Sequence, residues 1–415
     1  MSKKFDYWLI NHRISKSRIL TILFGIVFVL IYVDSFSKPF TSHVDFADEF
    51  QTRQITENNA QPKPFSATEL PVVMGERIHE VETEAADPLI PPSNVTRLER
   101  LEWFRRKLPE LEILNSNDLS QKFHARVTEF LKNACTVQFY MIWLSPVSGF
   151  GRREFLAMDS LFKANPHACL IIVSKSMDSS RGYRILKPLL DLGFKVLAVT
   201  PDLPILVKNT PAEAWLNELK SGRKDPGYIP LSVNLSNMIR VALLIKYGGV
   251  YLDTDFIVLK DFKGLRNVLG AQVVDEVTGK WTQLNGAMLI FDANHPLLID
   301  FQQEFATTFN GNNWGHNGPK LISRVIQRIG TRPGYDFEVL PPKAFYPVDW
   351  IKIRKLFKKP ANGAELRWVE NMLLELNDSY ALHLWNKRSR ELVIEDDSVM
   401  DRLISKHCVV CQQQT

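Results

Sequence analysis

The sequence carries little net charge, and no internal repeat is apparent in it. Its formal net charge is +5, and five basic residues fall within the first eighteen positions, so the rest of the chain is nearly neutral. Nucleic-acid-binding proteins are expected to concentrate basic residues on one face or helix. The composition therefore gives no reason to expect a nucleic acid as a partner.

Cysteines are also few. The four that occur are Cys135, Cys169, Cys408 and Cys411, which allow three pairings in an oxidising compartment. Among these we favour Cys135 with Cys169. Because Cys408-x-x-Cys411 has no second ligand pair, a local disulfide or free thiols are expected there rather than a zinc or redox motif.

Long apolar runs are scarce. The run Ile19 to Val33 is uncharged, and basic residues precede it, which predicts a cytosolic amino terminus. It is short for a membrane span, although Phe36 can extend it, and a thin Golgi bilayer suits a short span. Since no Ala-x-Ala-like site follows, an uncleaved type II anchor is favoured over a signal peptide. We predict a cytosolic tail at 1–18 and an anchor at 19–36.

Residues 37–118 are predicted to be a stem. The chain from 34 to 96 is rich in proline, serine, threonine and acids, with little apolar periodicity. It is either an extended spacer that lifts the head off the membrane or a disordered tether. Asn94 and Asn377 are candidate glycosylation sites, whereas Asn234 is the sequon least expected to be used.

Residues 119–415 are predicted to form the globular head. With 45% hydrophobic residues the chain is ordinary globular material. An entry helix (119–133) is followed by alternating strands and helices: strand 137–144, helix 152–164, strand 168–174, helix 182–192 and strand 194–200. This series predicts an α/β fold with a parallel sheet. A proline-rich loop is expected over 201–231.

The series leads to the stretch from Leu235 to Asp255. Its apolar spacing predicts a helix from about Ser236 to Tyr247, which Gly248-Gly249 ends. A short strand then delivers Asp253 and Asp255, whose side chains would share one face. Two such carboxylates favour a divalent cation and a nucleotide diphosphate. An isolated Asp-x-Asp is more often a turn, but the end of a strand is where open α/β sheets bind ligands.

The run from Leu235 through Phe262 resembles the Asp-x-Asp glycosyltransferases of the lactosylceramide 4-alpha-galactosyltransferase (globotriaosylceramide synthase) type. That family includes arthropod alpha-1,4-N-acetylgalactosaminyltransferase-like members. Further matches, in the family's order and spacing, are Leu284–Ala287, Trp314–Pro319, Leu340–Pro342, Ala344–Pro347 and His383–Lys387. The resemblance implies a single GT-A catalytic domain with a mixed, mainly parallel sheet.

The resemblance also implies roles for particular residues. Asp255 would bind Mn²⁺ directly and Asp253 would contact ribose and metal, while His383, on a predicted strand 380–385, would complete the metal ligands. Ser236, Asn237 and Arg240 would hold the donor sugar and diphosphate, although Asn237 replaces the family's acid. A structural His383 and an exposed Arg240 are the plain alternatives.

Other candidates are less specific. Trp143 would stack on uracil or serve as a core residue. Asn285 and Gly286, which open a predicted strand 288–291, would admit the substrate or form a hairpin turn, and Asn285 or Asp292 would assist catalysis. Helices are expected over 295–309 and 320–329, with Trp314 and His316 between them as acceptor-pocket residues.

The sequence thus predicts a Golgi type II enzyme with its catalytic domain in the lumen. It would transfer galactose or N-acetylgalactosamine from a UDP-sugar to a glycolipid acceptor in alpha-1,4 linkage, with Mn²⁺ and with retention of configuration. The rival is a catalytically silent sugar-binding or chaperone-like protein of the same fold, suggested by Asn237. Oligomeric state and any chaperone partner are left open.

Overall fold

The computed structural model describes residues 89–410. The predicted cytosolic tail, the anchor, most of the stem and Cys411 lie outside this range. Over residues 89–410, no helix is long and apolar enough to cross a bilayer.

The elements of the head follow one another in this order. The helices are α1 Arg97–Lys107, α2 Phe123–Leu131, α3 Arg152–Ala164, α4 Ser180–Asp191, α5 Leu203–Val207, α6 Ala212–Lys220, α7 Leu231–Tyr247, α8 Pro296–Thr308, α9 Pro319–Ile329, α10 Gly363–Leu376, α11 Asn386–Ser389 and α12 Val399–Lys406. The strands are β1 Gln138–Ile142, β2 Cys169–Val173, β3 Lys195–Val199, β4 Gly249–Leu252, β5 Phe256–Val258, β6 Val268–Val274, β7 Trp281–Phe291, β8 Glu338–Leu340 and β9 Ala381–His383.

The described strands form a seven-stranded sheet and a small two-stranded one. The large sheet has the order β3-β2-β1-β4-β7-β6-β8. Strands β1 to β4 are parallel, β7 is antiparallel to β4 and β6, and β8 is parallel to β6. The prediction of an α/β fold with a mixed, mainly parallel sheet is confirmed.

Two apolar layers cover the sheet. The buried side chains of helix α7 pack in one layer with Tyr140, Ile171 and Leu289 of the sheet. Helix α3 packs within the other, which contains Phe139 and Leu170. Because successive side chains of a strand point to opposite faces, neighbouring residues of β1 and β2 belong to different layers.

The prediction of a continuous proline-rich loop over 201–231 is wrong, because the segment contains helices α5 and α6. Pro204 lies in the first turn of α5, and Pro211 and Pro230 cap α6 and α7. Proline is well tolerated at helix starts, where its missing N–H would have no helical partner. Helix α7 accordingly begins at Leu231, five residues before the predicted Ser236.

The end of the predicted stem packs on the head. Arg100 of α1 is only 1% exposed and donates two hydrogen bonds to Asp225, at 3.0 and 2.7 Å. Phe104 is also buried. A capping box between Thr96 and Glu99 starts this helix. The head therefore begins well before residue 119.

Disulfides occur in two parts of the head. Cys135 and Cys169 are bonded, which confirms the favoured pairing and links the start of β1 to β2. Cys408 is also disulfide-bonded. A free thiol at Cys408 is thereby ruled out.

Candidate active site

The Asp-x-Asp pair lies in a turn directly after β4. The strand ends at Leu252, and the Asp253 N–H donates to the carbonyl of Ala287 at 2.9 Å. The two carboxylates therefore approach each other through the turn and not through alternation along a strand. Upstream, Gly249 has φ +106°, and an added Cβ would lie 2.5 Å from the Gln138 side chain. Glycine is required there because both the conformation and the space exclude a side chain.

Asp255 is buried and held from two sides. Its Oδ2 accepts the backbone N–H of Asn386 at 2.8 Å, and its Oδ1 lies 3.2 Å from Nε2 of His383. Burial alone would raise the pKa of Asp255, but His383 and the Asn386 N–H outweigh it and hold the pKa below its usual value. Asp255 is therefore kept as a carboxylate.

The chain makes an unusual bend to bring Asn386 to Asp255. Trp385 adopts the left-handed conformation, with φ 55°, which is rare for a large side chain. Its indole N–H donates to the carbonyl of Val348 at 2.8 Å, and its ring meets His383 edge to face at 4.2 Å between centroids. These contacts stabilise a backbone conformation of the kind that clusters at functional sites.

Asp253 is held by a different set of partners. Arg240 Nη2 lies 3.2 Å from its Oδ1, and the hydroxyl of Tyr251 donates to the same oxygen. Burial raises the pKa of Asp253, the charge of Asp255 adds to this, and Arg240 opposes both. The side chain is still 30% exposed, so one face remains open to a ligand.

Arg240 is engaged within the protein. Its guanidinium donates to the carbonyl of Gly286 at 2.7 Å and to Ser236 Oγ at 3.1 Å, and it lies 4.5 Å from the Tyr251 ring centroid. It is only 9% exposed. Arg240 therefore orients Asp253, and the contact with the donor diphosphate that the resemblance implies stays a prediction.

Asp253, Asp255 and His383 form a group that fits a divalent cation. One ligand atom from each lies within 4.8 Å of the others. Two carboxylates and an imidazole are a donor set that Mn²⁺ accepts. Each of the three side chains would hold the ion through one ligand atom.

Three of the six predicted donor residues line one small cavity of about 10 Å³. These are Asn237, Arg240 and Gly286, and Gln302 and Gly318 line it with them. An added Cβ at Gly318 would come 2.9 Å from Asn237 Oδ1. The start of α9 therefore packs closely against Asn237 of α7.

Asn285 lies inside β7 and does not open a strand, because β7 begins at Trp281. Its amide donates to Gln272 at 2.9 Å and its Oδ1 accepts from the Ala287 N–H. Both the amide nitrogen and the oxygen of Asn285 are therefore hydrogen-bonded to residues of the sheet. Asp292 lies at the other end of β7, paired with Arg266 at 2.7 Å, so the suggestion that it assists catalysis is wrong.

Trp143 follows β1 and is 8% exposed. Its indole N–H donates to the carbonyl of Pro146 at 3.1 Å, and its ring meets Phe150 edge to face. These contacts favour the core interpretation over stacking on uracil.

Trp314 and His316 lie in the loop before α9. Trp314 is 54% exposed, and Lys387 Nζ lies 3.9 Å from its ring centroid. His316 Nε2 lies 2.8 Å from the carbonyl of Thr308. Trp314 is thus brought next to the segment that holds Asp255, while His316 is tied to the end of α8.

The sequons differ in exposure. Asn94 and Asn377 are exposed. Asn234 is 2% exposed and accepts a hydrogen bond from Asn317 at 2.9 Å, which agrees with its being the site least expected to carry a glycan.

Sequence reasoning missed Tyr251, Asn386 and Trp385 as parts of the site. From the sequence, Tyr251 is identified only as a residue that favours a strand. Asn386 contacts Asp255 through its backbone N–H, and the identity of a side chain does not predict such a contact. The one available signal for Trp385 and Asn386 was their position within the motif His383–Lys387.

Comparisons with known proteins agree with this geometry. Residues 151–274 match the glycosyltransferase sugar-binding region containing the DXD motif, and residues 290–415 match the alpha 1,4-glycosyltransferase conserved region. Lactosylceramide 4-alpha-galactosyltransferase of Rattus norvegicus is 34% identical over 272 residues, which cover 61% of this chain and 68% of the relative. The chain belongs to the lactosylceramide 4-alpha-galactosyltransferase family.

Membership in this family makes the protein a glycosyltransferase. A more distant relative is the alpha-1,4-N-acetylglucosaminyltransferase of Homo sapiens, 27% identical over 219 residues, which cover 50% of this chain and 58% of the relative. Among solved structures, the PaToxG glycosyltransferase is 16% identical, with a TM-score of 0.34 over 55% of this chain and 79% of that one. A DXD-containing domain implies a divalent cation and a UDP-sugar donor.

Proposed function

We propose that the protein is a metal-dependent α-1,4-glycosyltransferase of GT-A fold that moves galactose or N-acetylgalactosamine from a UDP-sugar to a glycolipid. The observation that carries this proposal is the group formed by Asp253, Asp255 and His383 at the end of β4. The glycolipid acceptor is supported by the relatives, whose name specifies transfer of galactose to lactosylceramide.

The residues of the site are suited to a reaction in which UDP leaves the donor sugar. A bound Mn²⁺ would neutralise the charge that develops on the leaving UDP. Asp255 and His383 would hold the ion, and Asp253, oriented by Arg240, would contact both ion and ribose.

We further propose that configuration is retained by front-face substitution. Asn285 is committed to Gln272, and Asp292 lies at the far end of β7, so neither offers a nucleophile to the sugar. The bond from the anomeric carbon to the UDP oxygen breaks while the bond to the acceptor oxygen forms on the same face. The acceptor proton passes to the UDP oxygen.

Donor and acceptor panels test the proposal. The purified protein is assayed with UDP-galactose and UDP-N-acetylgalactosamine, against lactose-type and arthropod-type glycolipids, with Mn²⁺ and with EDTA. We expect turnover that requires Mn²⁺. Absence of turnover with every donor would favour the catalytically silent sugar-binding protein, which Asn237 suggests but the complete Asp253–Asp255–His383 group disfavours.

A Golgi type II topology is part of the proposal, supported by the basic residues before the apolar run. Protease added to sealed microsomes should remove only the first eighteen or so residues. Digestion of the head without detergent would overturn this topology.

A further inference from the structure

An exposed apolar tip protrudes beside the active site. Trp350 is 42% exposed and Ile351 is 69% exposed. The turn that presents them is built by Asp349, whose Oδ1 accepts the N–H groups of Ile351 and Lys352 at 2.8 Å each. The next residue, Ile353, is fully buried and anchors the turn. We call residues 349–352 the Trp350 tip.

The tip lies within a basic segment. Residues 349–359 contain five basic residues and one acid, Asp349; the basic residues are Lys352, Arg354, Lys355, Lys358 and Lys359. All five are exposed. Asp349 lies 3.6 Å from Lys352, and Glu395 pairs with Lys358, so an excess of positive charge remains.

This combination suits a lipid surface. Tryptophan and aliphatic side chains enter the boundary between headgroups and acyl chains, while lysine and arginine meet the headgroup phosphates. A protein partner would also cover apolar residues, but the exposed cations that accompany the tip in sequence favour a surface of phosphates.

The Trp350 tip contacts helix α11, whose first residue, Asn386, binds Asp255. The guanidinium of Arg388 lies 4.9 Å from the Trp350 ring centroid. Two residues earlier, the Asn386 N–H holds Asp255. Between them, Lys387 contacts the exposed Trp314. A lipid contacted by the tip would therefore present its headgroup close to the metal-binding carboxylates.

We propose that the Trp350 tip inserts into the surface of the bilayer that carries the acceptor, and so delivers the acceptor's sugar to the active site. This inference rests on the proposed glycolipid acceptor. It adds a second membrane contact, made by the head itself.

Lipid contact is tested on the full chain reconstituted in phosphatidylcholine/phosphatidylserine vesicles. Ile351→Cys carries an environment-sensitive fluorophore, and brominated lipids serve as quenchers. The matched control is Val277→Cys, at a residue 93% exposed in the turn between β6 and β7. If the tip inserts to headgroup depth, quenching at 351 should exceed that at 277 by about threefold.

Equal quenching at the two positions overturns the proposal. Shielding of the 351 label by another protein chain, without quenching, overturns it in favour of a protein partner. Quenching in a protein that transfers no sugar to glycolipid supports the lipid contact and overturns only the proposed acceptor.

Kinetics provide a second measurement. In Trp350→Ala/Ile351→Asn, kcat/KM for a vesicle-borne glycolipid should fall about tenfold, while kcat/KM for the soluble oligosaccharide of the same headgroup should not change. Val277→Asn should alter neither. An equal loss on both acceptors would mean that the tip contacts sugar, and would overturn the proposal.

Discussion

Replacing Asp255 separates two contributions that this residue makes. Its carboxylate accepts the Asn386 N–H and faces His383, so it joins the end of β9 to the turn after β4. The same carboxylate belongs to the predicted metal group. Asp255→Ala removes both contributions, whereas Asp255→Asn keeps an acceptor oxygen for the Asn386 N–H and removes only the charge.

The magnitudes follow from these contacts. A hydrogen bond to a charged group contributes about 1.5–3 kcal/mol, and relief of repulsion between the two aspartates offsets part of its loss. We expect Asp255→Ala to lower the metal-free unfolding free energy by about 1–2 kcal/mol. Asp255→Asn should lose less than Asp255→Ala, because it keeps the acceptor for the Asn386 N–H and loses only the charge that faces His383.

Metal should widen the difference between the wild type and both variants. A ligand at a hundred times its Kd stabilises a folded protein by about 2.7 kcal/mol, so Mn²⁺ at that level should raise the wild-type unfolding free energy by this amount. Neither variant should gain it. Transfer activity should fall by about 10²–10³ in both, as when one preorganised electrostatic contact is lost.

The assay is denaturant unfolding with EDTA and with Mn²⁺, paired with donor turnover. A Mn²⁺-induced gain in Asp255→Asn equal to that of the wild type would show that the carboxylate does not bind the ion. An Asp255→Ala melt identical to that of the metal-free wild type would show that its hydrogen bonds do not stabilise the junction.

Three further outcomes are expected. Asn237→Asp should shift the ratio of kcat/KM for UDP-galactose over UDP-N-acetylgalactosamine roughly tenfold towards galactose, since a carboxylate repels the acetamido oxygen; an unchanged ratio means that Asn237 does not contact the donor sugar. Arg100→Met should lower the unfolding free energy by about 3 kcal/mol, because it removes both hydrogen bonds from Arg100 and leaves Arg97, at 3.5 Å, as the cation nearest Asp225; a loss below about 1 kcal/mol would mean that this contact does not hold α1 on the head. Burial, with Lys406 and Lys163 adding to it, lowers the pKa of His407 to about 4. The unfolded chain therefore binds the proton first, and stability should fall as pH drops from about 6.5 towards 4, less steeply in His407→Gln; parallel pH profiles of the denaturation midpoint would refute this.

The first half of the sheet could be predicted because strands and helices alternate regularly from β1 to β3. Strands β1 to β3 are short β-rich runs, and α3 has regular apolar spacing; its predicted bounds, Arg152 to Ala164, agree with the structure. The disulfide between Cys135 and Cys169 joins the same neighbouring elements, because β1 and β2 pair in parallel. Local periodicity suffices where consecutive elements are also neighbours in space.

Secondary structure and burial were predicted wrongly where a residue type is compatible with two different environments. Prolines in 201–231 were interpreted as loop residues, although Pro204 lies in the first turn of a helix and Pro211 and Pro230 cap helices. The sequence assigns helix α1 to a polar stem, because one of its buried side chains is an arginine, Arg100. Burial of a charged side chain depends on its partner, here Asp225, and sequence spacing does not reveal that partner.

The metal group itself depends on a contact that no local pattern predicts. Strand β5 begins directly after Asp255, and β9 pairs with it so that Phe256 lies opposite His383. A slip of one residue in this register would turn the His383 side chain to the other face of the small sheet. The two matched family regions, 151–274 and 290–415, would therefore contribute different ligands to the proposed metal site. Because the β5–β9 pairing sets the position of His383 relative to Asp255, the proposed metal site requires this two-stranded sheet as well as the carboxylates.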